Sequence, residues 1–368
     1  MSGRNGRKAA PPVAGKRATD TTLQETLDHL TVRGDLWRAA GGSDVRCVAC
    51  GHRCLLRDGR RGICRVRFNE AGVLRVPSGY VVGLQVDPIE KKPFFHLLPE
   101  ADALTFGMLG CDFHCGFCQN WLTSQALRDP SAGASVTPIS SEAIVDIAVR
   151  HRAAAIVSSY NEPLITAEWA VAVFKLCRPH GLRTAMVSNG NGTEEALDYI
   201  RPWTDAFKID LKAIDEPLYR TLGGTLGKVL DSIRMARERG LWVEIVTLLV
   251  PGFNDRGDAV RRTADTIAAI STCIPWHVTA FHADYRMTAP RNTTAEDLVR
   301  ACETGRAAGL DFVYAGNLPG RVGRWENTWC PRCGEILVER VGYSIRQQRV
   351  SPEGACPSCG VQIPGIWA

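Results

Sequence analysis

From about residue 103 the chain alternates between two hydrophobic periods. Short β-branched and apolar runs read as buried strands: "LTFGMLG", "AAIVSSY", "RTAMVSN", "AFKIDL", "WVEIVTLLV", "HVTAF" and "DFVYAG". Helical patterns fall between most of them. "TAEWAVAVFKL" repeats apolar residues at Trp169, Val173 and Leu176, the spacing of one helix face. "TEEALDYI" opens with Thr193 as an N-cap and two acids in its first turn. "GKVLDSIRMARERG" ends at Gly240, a C-cap residue. Strand and helix in alternation imply parallel βαβ units. Six or seven units predict an α/β fold built as an open or partial (β/α)6-type barrel, short of the eight units of a full TIM barrel.

The same pattern sets the domain boundaries. Residues 1–30 read as a disordered basic tail, because "MSGRNGRKAAPPVAGKRATD" is rich in Gly, Ala and Pro and lacks the apolar core of a secretory signal. Residues 31–102 form a cysteine-bearing segment and a lead-in loop, residues 103–322 the partial barrel, and residues 323–368 a zinc-ribbon-like end. The net charge of +5 belongs to the tail, where Arg4, Arg7, Lys8, Lys16 and Arg17 precede any acid. The body is then neutral, so bulk charge gives no argument for a nucleic-acid partner. No apolar run reaches the length of a membrane span.

Cysteine usage changes the picture most. Of fourteen cysteines, eleven fall into three tight groups. Cys47, Cys50, Cys54 and Cys64 form the first, Cys111, Cys115 and Cys118 the second, and Cys330, Cys333, Cys356 and Cys359 the third. Cys177, Cys273 and Cys302 stand alone and read as plain thiols. Clustering without a secretion signal favours metal over disulfides and points to the reducing cytoplasm. Two CxxC knuckles separated by about one hairpin are a strong zinc-ribbon signal. The first group is a complete four-thiolate set for which zinc and an auxiliary iron–sulfur cluster both fit. The middle group has only three ligands, placed just after the first barrel strand. Three thiolates can hold three corners of an iron–sulfur cube and leave one iron free for a small molecule. A structural zinc site would want a fourth Cys or His.

CxxxCxxC with Phe117 before its last cysteine resembles the radical S-adenosylmethionine (radical SAM) superfamily. The resemblance implies a [4Fe–4S] cluster whose open iron binds the amino and carboxylate groups of S-adenosylmethionine. One electron then cleaves the sulfonium to a 5′-deoxyadenosyl radical, which removes hydrogen from a substrate. "SSYNEPLIT" looks like the Gly-Gly-Glu-Pro motif, with Tyr160 and Asn161 in place of the glycines and Glu162 as acceptor for the cosubstrate ammonium. Ser188 and Asn189 in "MVSNG", and Asp210 and Lys212 in "KIDLK", match polar positions at successive strand ends, with Lys212 a partner for the methionine carboxylate. "TAFH" puts His282 at the sixth strand end.

These motifs in this order resemble the pyruvate formate-lyase-activating enzymes, which abstract hydrogen from a glycine of a partner protein. A longer resemblance, over residues 47–367, is to the AmmeMemoRadiSam-system radical enzyme. It implies association with Memo-type and AMMECR-type proteins and an electron donor of the flavodoxin or ferredoxin type, and it leaves the substrate open. A protein or peptide target is the first reading. Radical modification of tRNA or a small metabolite is an alternative, and a metal-rich docking scaffold without turnover is another. "VDPIEKKPFFH" reads as a surface loop or as a lid carrying Lys91, Lys92 or His96 near the cosubstrate.

Overall fold

All seven apolar runs form strands, and they lie side by side. The computed structural model describes residues 22–368. Its largest sheet holds β1 (Gly83–Pro88), β2 (Asp102–Gly107), β3 (Ala155–Ser158), β4 (Arg183–Ser188), β5 (Ala206–Asp210), β6 (Trp242–Leu249), β7 (Trp276–Ala280) and β8 (Val313–Gly316). The strands pair in chain order. β2 to β8 are parallel, and β1 runs antiparallel along the free side of β2. The α/β class and its parallel units agree with the sequence pattern. The sheet is open, with β1 and β8 as its two ends.

Helices fill the crossovers: Ser141–Arg150, Ala167–Cys177, Glu194–Ile200, Leu226–Glu238, Ala259–Ile270 and Ala295–Ala307. The caps fall where the sequence puts them. The Thr193 hydroxyl accepts from the Ala196 amide at 3.1 Å, and Gly240 turns left-handed at φ +73° after the helix end.

Strand alternation divides the side chains into two faces. Leu104, Phe106, Ile156, Met186, Phe207, Ile209, Val243, Ile245 and Val278 pack into the main core with the helices. The opposite face begins with small residues, Ala103, Ala155, Ala185 and Ala206, against which Ile89, Phe94 and Leu97 lie. Four alanines leave room for a whole segment, so the link between β1 and β2 crosses the sheet as a plug. Phe95 joins it to a second apolar cluster with Phe312, Tyr314, Leu337, Val338 and Ile363.

The plug is held by polar bonds. Glu244 on β6 accepts from the Phe95 and His96 amides, both at 2.9 Å, and meets His277 Nε2 at 2.7 Å. His96 bonds the Tyr314 hydroxyl at 2.7 Å and the Pro364 carbonyl at 2.6 Å. Arg340 donates to the Phe95 carbonyl at 2.9 Å and the Thr328 hydroxyl at 2.8 Å. Two expectations are corrected here. "VDPIEKKPFFH" is the end of an edge strand and a buried plug rather than a surface loop, and His96 is fully buried under the ribbon, away from the cysteine loop at residues 111–118.

The ribbon is three antiparallel strands, Thr328–Trp329, Ile336–Val341 and Ser344–Gln348. Two small three-stranded sheets precede the main one: Thr31–Arg33 with Val73–Pro77 and Phe68–Glu70, and Trp37–Ala39 with Val45–Cys47 and Leu55–Leu56. A buried ion pair anchors this region: Arg67 donates two 2.7 Å bonds to Glu168 on the helix Ala167–Cys177. Of the proposed tail, residues 1–21 lie outside the described residues. Residues 22–30 depart from it: Leu23–His29 is a helix, because Thr22 and Glu25 close a capping box.

Candidate active site

β2 ends at Gly107, and the loop beyond it carries the three-cysteine group. Cys111, Cys115 and Cys118 all line a cavity of about 430 Å³ at the C-terminal ends of the strands. Phe117, Glu162, Ser188, Asn189, Asp210 and Lys212 line the same cavity. No fourth cysteine and no histidine is among its lining residues, so the donor set fits a cube with one uncommitted iron. His114, within the same loop, packs against Gly223.

The sulfurs have polar company. The Phe113 amide donates to Cys111 Sγ at 3.3 Å, and Asn189 Nδ2 approaches it at 3.7 Å. Ser124 Oγ lies 3.1 Å from Cys118 Sγ. Such donors tune a thiolate-bound metal. Burial pushes the Cys115 thiol up to about 12, with Lys212 acting in the opposite direction. A bound cation reverses that preference, since it binds the thiolate form.

Glu162 is buried just past β3 and is tied to β4. Its carboxylate accepts from Ser188 Oγ at 2.7 Å, the Asn189 amide at 2.7 Å and the Leu164 amide at 3.0 Å. Burial, and then the nearby Asp112 carboxylate, push its pKa up to about 8. A buried carboxylate raised in this way gains most from an incoming cation.

β5 supplies a charged row. Lys208, Asp210 and Lys212 share a face, with Lys208 Nζ 2.6 Å and Lys212 Nζ 3.0 Å from the Asp210 carboxylate. Asp210 is held down at about 2; burial works against its charge and the two lysines outweigh it. The expected alternation of Asp210 and Lys212 is therefore present, but Lys212 is already paired within the chain. Lys208 was not singled out in the sequence, although the period of two that linked the other pair includes it.

Tyr160 stands where the family motif has glycine, and it takes the backbone that glycine would, with φ +68°. A non-glycine residue there costs about 1–2 kcal/mol. The room for its ring comes from two other glycines. A Cβ on Gly107 would stand 2.6 Å from the Ser159 carbonyl and 2.7 Å from Tyr160 Cβ, and one on Gly83 would stand 3.2 Å from the ring. The Tyr160 hydroxyl then meets Lys92 Nζ at 2.9 Å. Lys91 and Lys92 line the cavity, whereas His96 is buried and does not.

His282 also departs from its expectation. It is largely exposed, bonded to Gln119 at 2.9 Å, and it lines a neighbouring cavity of about 650 Å³ rather than the cysteine pocket. Asp112 is the residue the sequence reading missed. It is fully buried beside Cys111 and accepts from Asn189 Nδ2 and Asn191 Nδ2, both at 2.7 Å. Its signal was an acid directly following a ligand cysteine in "GCDFHC".

The radical SAM superfamily model matches residues 106–267, which contain the three thiols, Glu162, Asp210 and Lys212. The chain belongs to the radical SAM superfamily. An uncharacterized protein of Methanocaldococcus jannaschii is 35% identical over 322 residues, 87% of this chain and 95% of that protein. The pyruvate formate-lyase-activating enzyme of Clostridium pasteurianum is 25% identical over 183 residues, 46% of this chain and 72% of that enzyme. Among solved structures, a radical SAM methyltransferase from Sphaerobacter thermophilus is 16% identical, covering 65% of this chain and 71% of its own at a TM-score of 0.47.

A radical SAM protein is an enzyme that uses a [4Fe–4S] cluster and S-adenosylmethionine. Its ribbon cysteines converge separately. Cys330 and Cys359 sulfurs are 3.6 Å apart, Cys333 and Cys356 sulfurs 3.7 Å, and all four lie within 4.8 Å of one another. Such a group can hold one metal ion. Among the described residues no helix is long and apolar enough to cross a membrane.

Proposed function

We propose that this radical SAM enzyme reductively cleaves S-adenosylmethionine and removes hydrogen from a protein or peptide in the cytoplasm. The observation that carries the reading is one cavity joining three thiols to a buried carboxylate and a cationic row. Cys111, Cys115 and Cys118 would hold the cluster, which supplies the electron for cleavage when bound. Glu162 would take the cosubstrate ammonium, with Ser188 and Asn189 fixing its carboxylate. The Lys208–Asp210–Lys212 row offers positive charge to the methionine carboxylate, and Phe117, edge-on to Phe253 at 5.4 Å, closes one wall. Similarity to activating enzymes supports a protein target, a flavodoxin- or ferredoxin-type donor and, through the longer resemblance, Memo-type and AMMECR-type partners. The ribbon would hold zinc, matching its thiol spacing.

The test is anaerobic reconstitution and reduction, followed by assay for 5′-deoxyadenosine. Wild type should form it and Cys118→Ala should not. Cleavage by Cys118→Ala would end the reading.

A further inference from the structure

The four N-terminal thiols are assigned no metal by anything above, and their geometry differs from the ribbon's. Four thiolates around a single zinc stand about 3.8 Å apart, because each zinc–sulfur bond is about 2.3 Å and the angles are tetrahedral. The ribbon has that spacing. Among the described residues, no three of Cys47, Cys50, Cys54 and Cys64 have sulfurs all within 4.8 Å of one another. They nonetheless face a common space. A methyl on Gly62 would sit 3.6 Å from Cys54 Sγ and 3.7 Å from Cys64 Sγ. Cys47 and Cys54 are joined by a 3.0 Å backbone bond, and Cys47, Cys50 and Cys64 are all buried. Cys111, Cys115 and Cys118 also fall outside the 4.8 Å limit, as corners of a cube should, since each ligand caps a different iron.

Two further observations fit an anionic cluster. Arg67 is fully buried, and its Nε–H has no partner. Its guanidinium is near enough to Cys47 and Cys64 to feel their charge. An orphaned buried N–H is costly unless something accepts it, and a thiolate or sulfide would. The loop between Cys50 and Cys54 also leads directly to the first site. The Gly51 amide donates to the Asn191 carbonyl at 2.8 Å, and His52 Nε2 lies 3.8 Å from Asp112 Oδ2. The other Asp112 oxygen lies 3.9 Å from Cys111 Sγ.

We infer that Cys47, Cys50, Cys54 and Cys64 hold a second iron–sulfur cluster, separated from the radical cluster by the Asp112 carboxylate and close enough to couple with it. This rests on the first site being an iron–sulfur cluster and goes beyond it in assigning a metal to the second.

The test counts metals in the full-length protein purified without oxygen. Two cubes and a zinc ribbon predict about eight irons and one zinc per chain; zinc at the N-terminal group predicts about four irons and two zincs. Cys111→Ala/Cys115→Ala/Cys118→Ala should keep about four irons and the electron paramagnetic resonance signal of a reduced cluster. Cys50→Ala should keep the radical cluster and its cleavage of S-adenosylmethionine, which separates this proposal from the functional one. The reduced wild-type spectrum should be broadened relative to the sum of the two variants. A second zinc, an iron-free triple variant or a purely additive spectrum would overturn the inference. If the triple variant fails to fold, the wild-type metal count and spectrum still decide.

Discussion

Replacing Lys212 with Met keeps the length of the side chain and removes its charge, so it isolates electrostatics from packing. Lys208, Asp210 and Lys212 place two ammoniums on one carboxylate, leaving a single net positive charge beside the cysteine loop. The substitution reduces that net charge to zero. Burial works against the Lys212 ammonium, but Asp210 more than offsets this and holds its pKa above the ordinary lysine value, so the charge is present at neutral pH. A unit charge about 5 Å from a carboxylate, at an effective dielectric near 20, contributes about 3 kcal/mol. S-adenosylmethionine should therefore bind roughly a hundredfold more weakly. Calorimetric titration of reconstituted Lys212→Met under anaerobic conditions measures this, with cluster absorbance as the control. An affinity within threefold of wild type, with the absorbance intact, would refute the electrostatic reading of β5. Asp210→Asn should act on stability instead, costing about 3–5 kcal/mol because a buried and a largely buried ammonium lose their shared partner.

Cys330→Ala should release the ribbon metal and lower the Tm while retaining 5′-deoxyadenosine formation per cluster; loss of iron in step with zinc would show the ribbon to be another cluster site. Gly107→Ala should destabilise by about 1–3 kcal/mol, since its new methyl meets a backbone carbonyl at 2.6 Å; an unchanged denaturation midpoint would mean the loop yields freely. Burial holds the His96 imidazole down at about 4 even though Glu244 pulls the other way. The unfolded chain takes up that proton near pH 6.5, so stability should fall as pH drops from about 6.5 to 4, by up to roughly 3 kcal/mol. His96→Gln should flatten that window in guanidinium unfolding, and an identical pH slope in the variant would count against the buried histidine. Reduced enzyme given S-adenosylmethionine and tRNA should yield no modified nucleoside, and a Cys111-dependent modification would sink the protein-substrate reading.

The parallel strands were legible because buried strands are continuous apolar runs, and nothing else in the chain competes with that signal. β1 was not: Gly83, Gln85, Asp87 and Pro88 carry little strand propensity, and the strand exists because β2 offers it an open side. The three-cysteine loop and Glu162 were legible from spacing and motif. Asp112 and Asn191 needed the third dimension, since Asp112 is bonded by Asn189 and Asn191, 77 and 79 residues away, whereas Lys208 was within reach of the strand period, its partner lying only 2 residues along. His282 and His96 misled for opposite reasons. A histidine at a strand end is placed by the loop that follows, and one in a charged stretch can still turn inward where four alanines make room.

The plug beneath the sheet ties the start of the main sheet to the C-terminal segment in time as well as in space. His96 meets Pro364 across 268 residues, and Arg340 meets the Phe95 carbonyl across 245. Contacts of such separation close late, because loop entropy opposes them until the intervening segments are ordered. During synthesis, β2 to β8 emerge before the ribbon that satisfies the buried polar groups of the plug. Until then His96 lacks the Pro364 carbonyl and the Phe95 carbonyl lacks Arg340. Pulse-labelled hydrogen exchange during refolding should therefore find the Leu98 amide, which donates to the Ile366 carbonyl at 2.7 Å, protected after those of β3 to β5, and simultaneous protection would show that the plug assembles without waiting for the C-terminal segment.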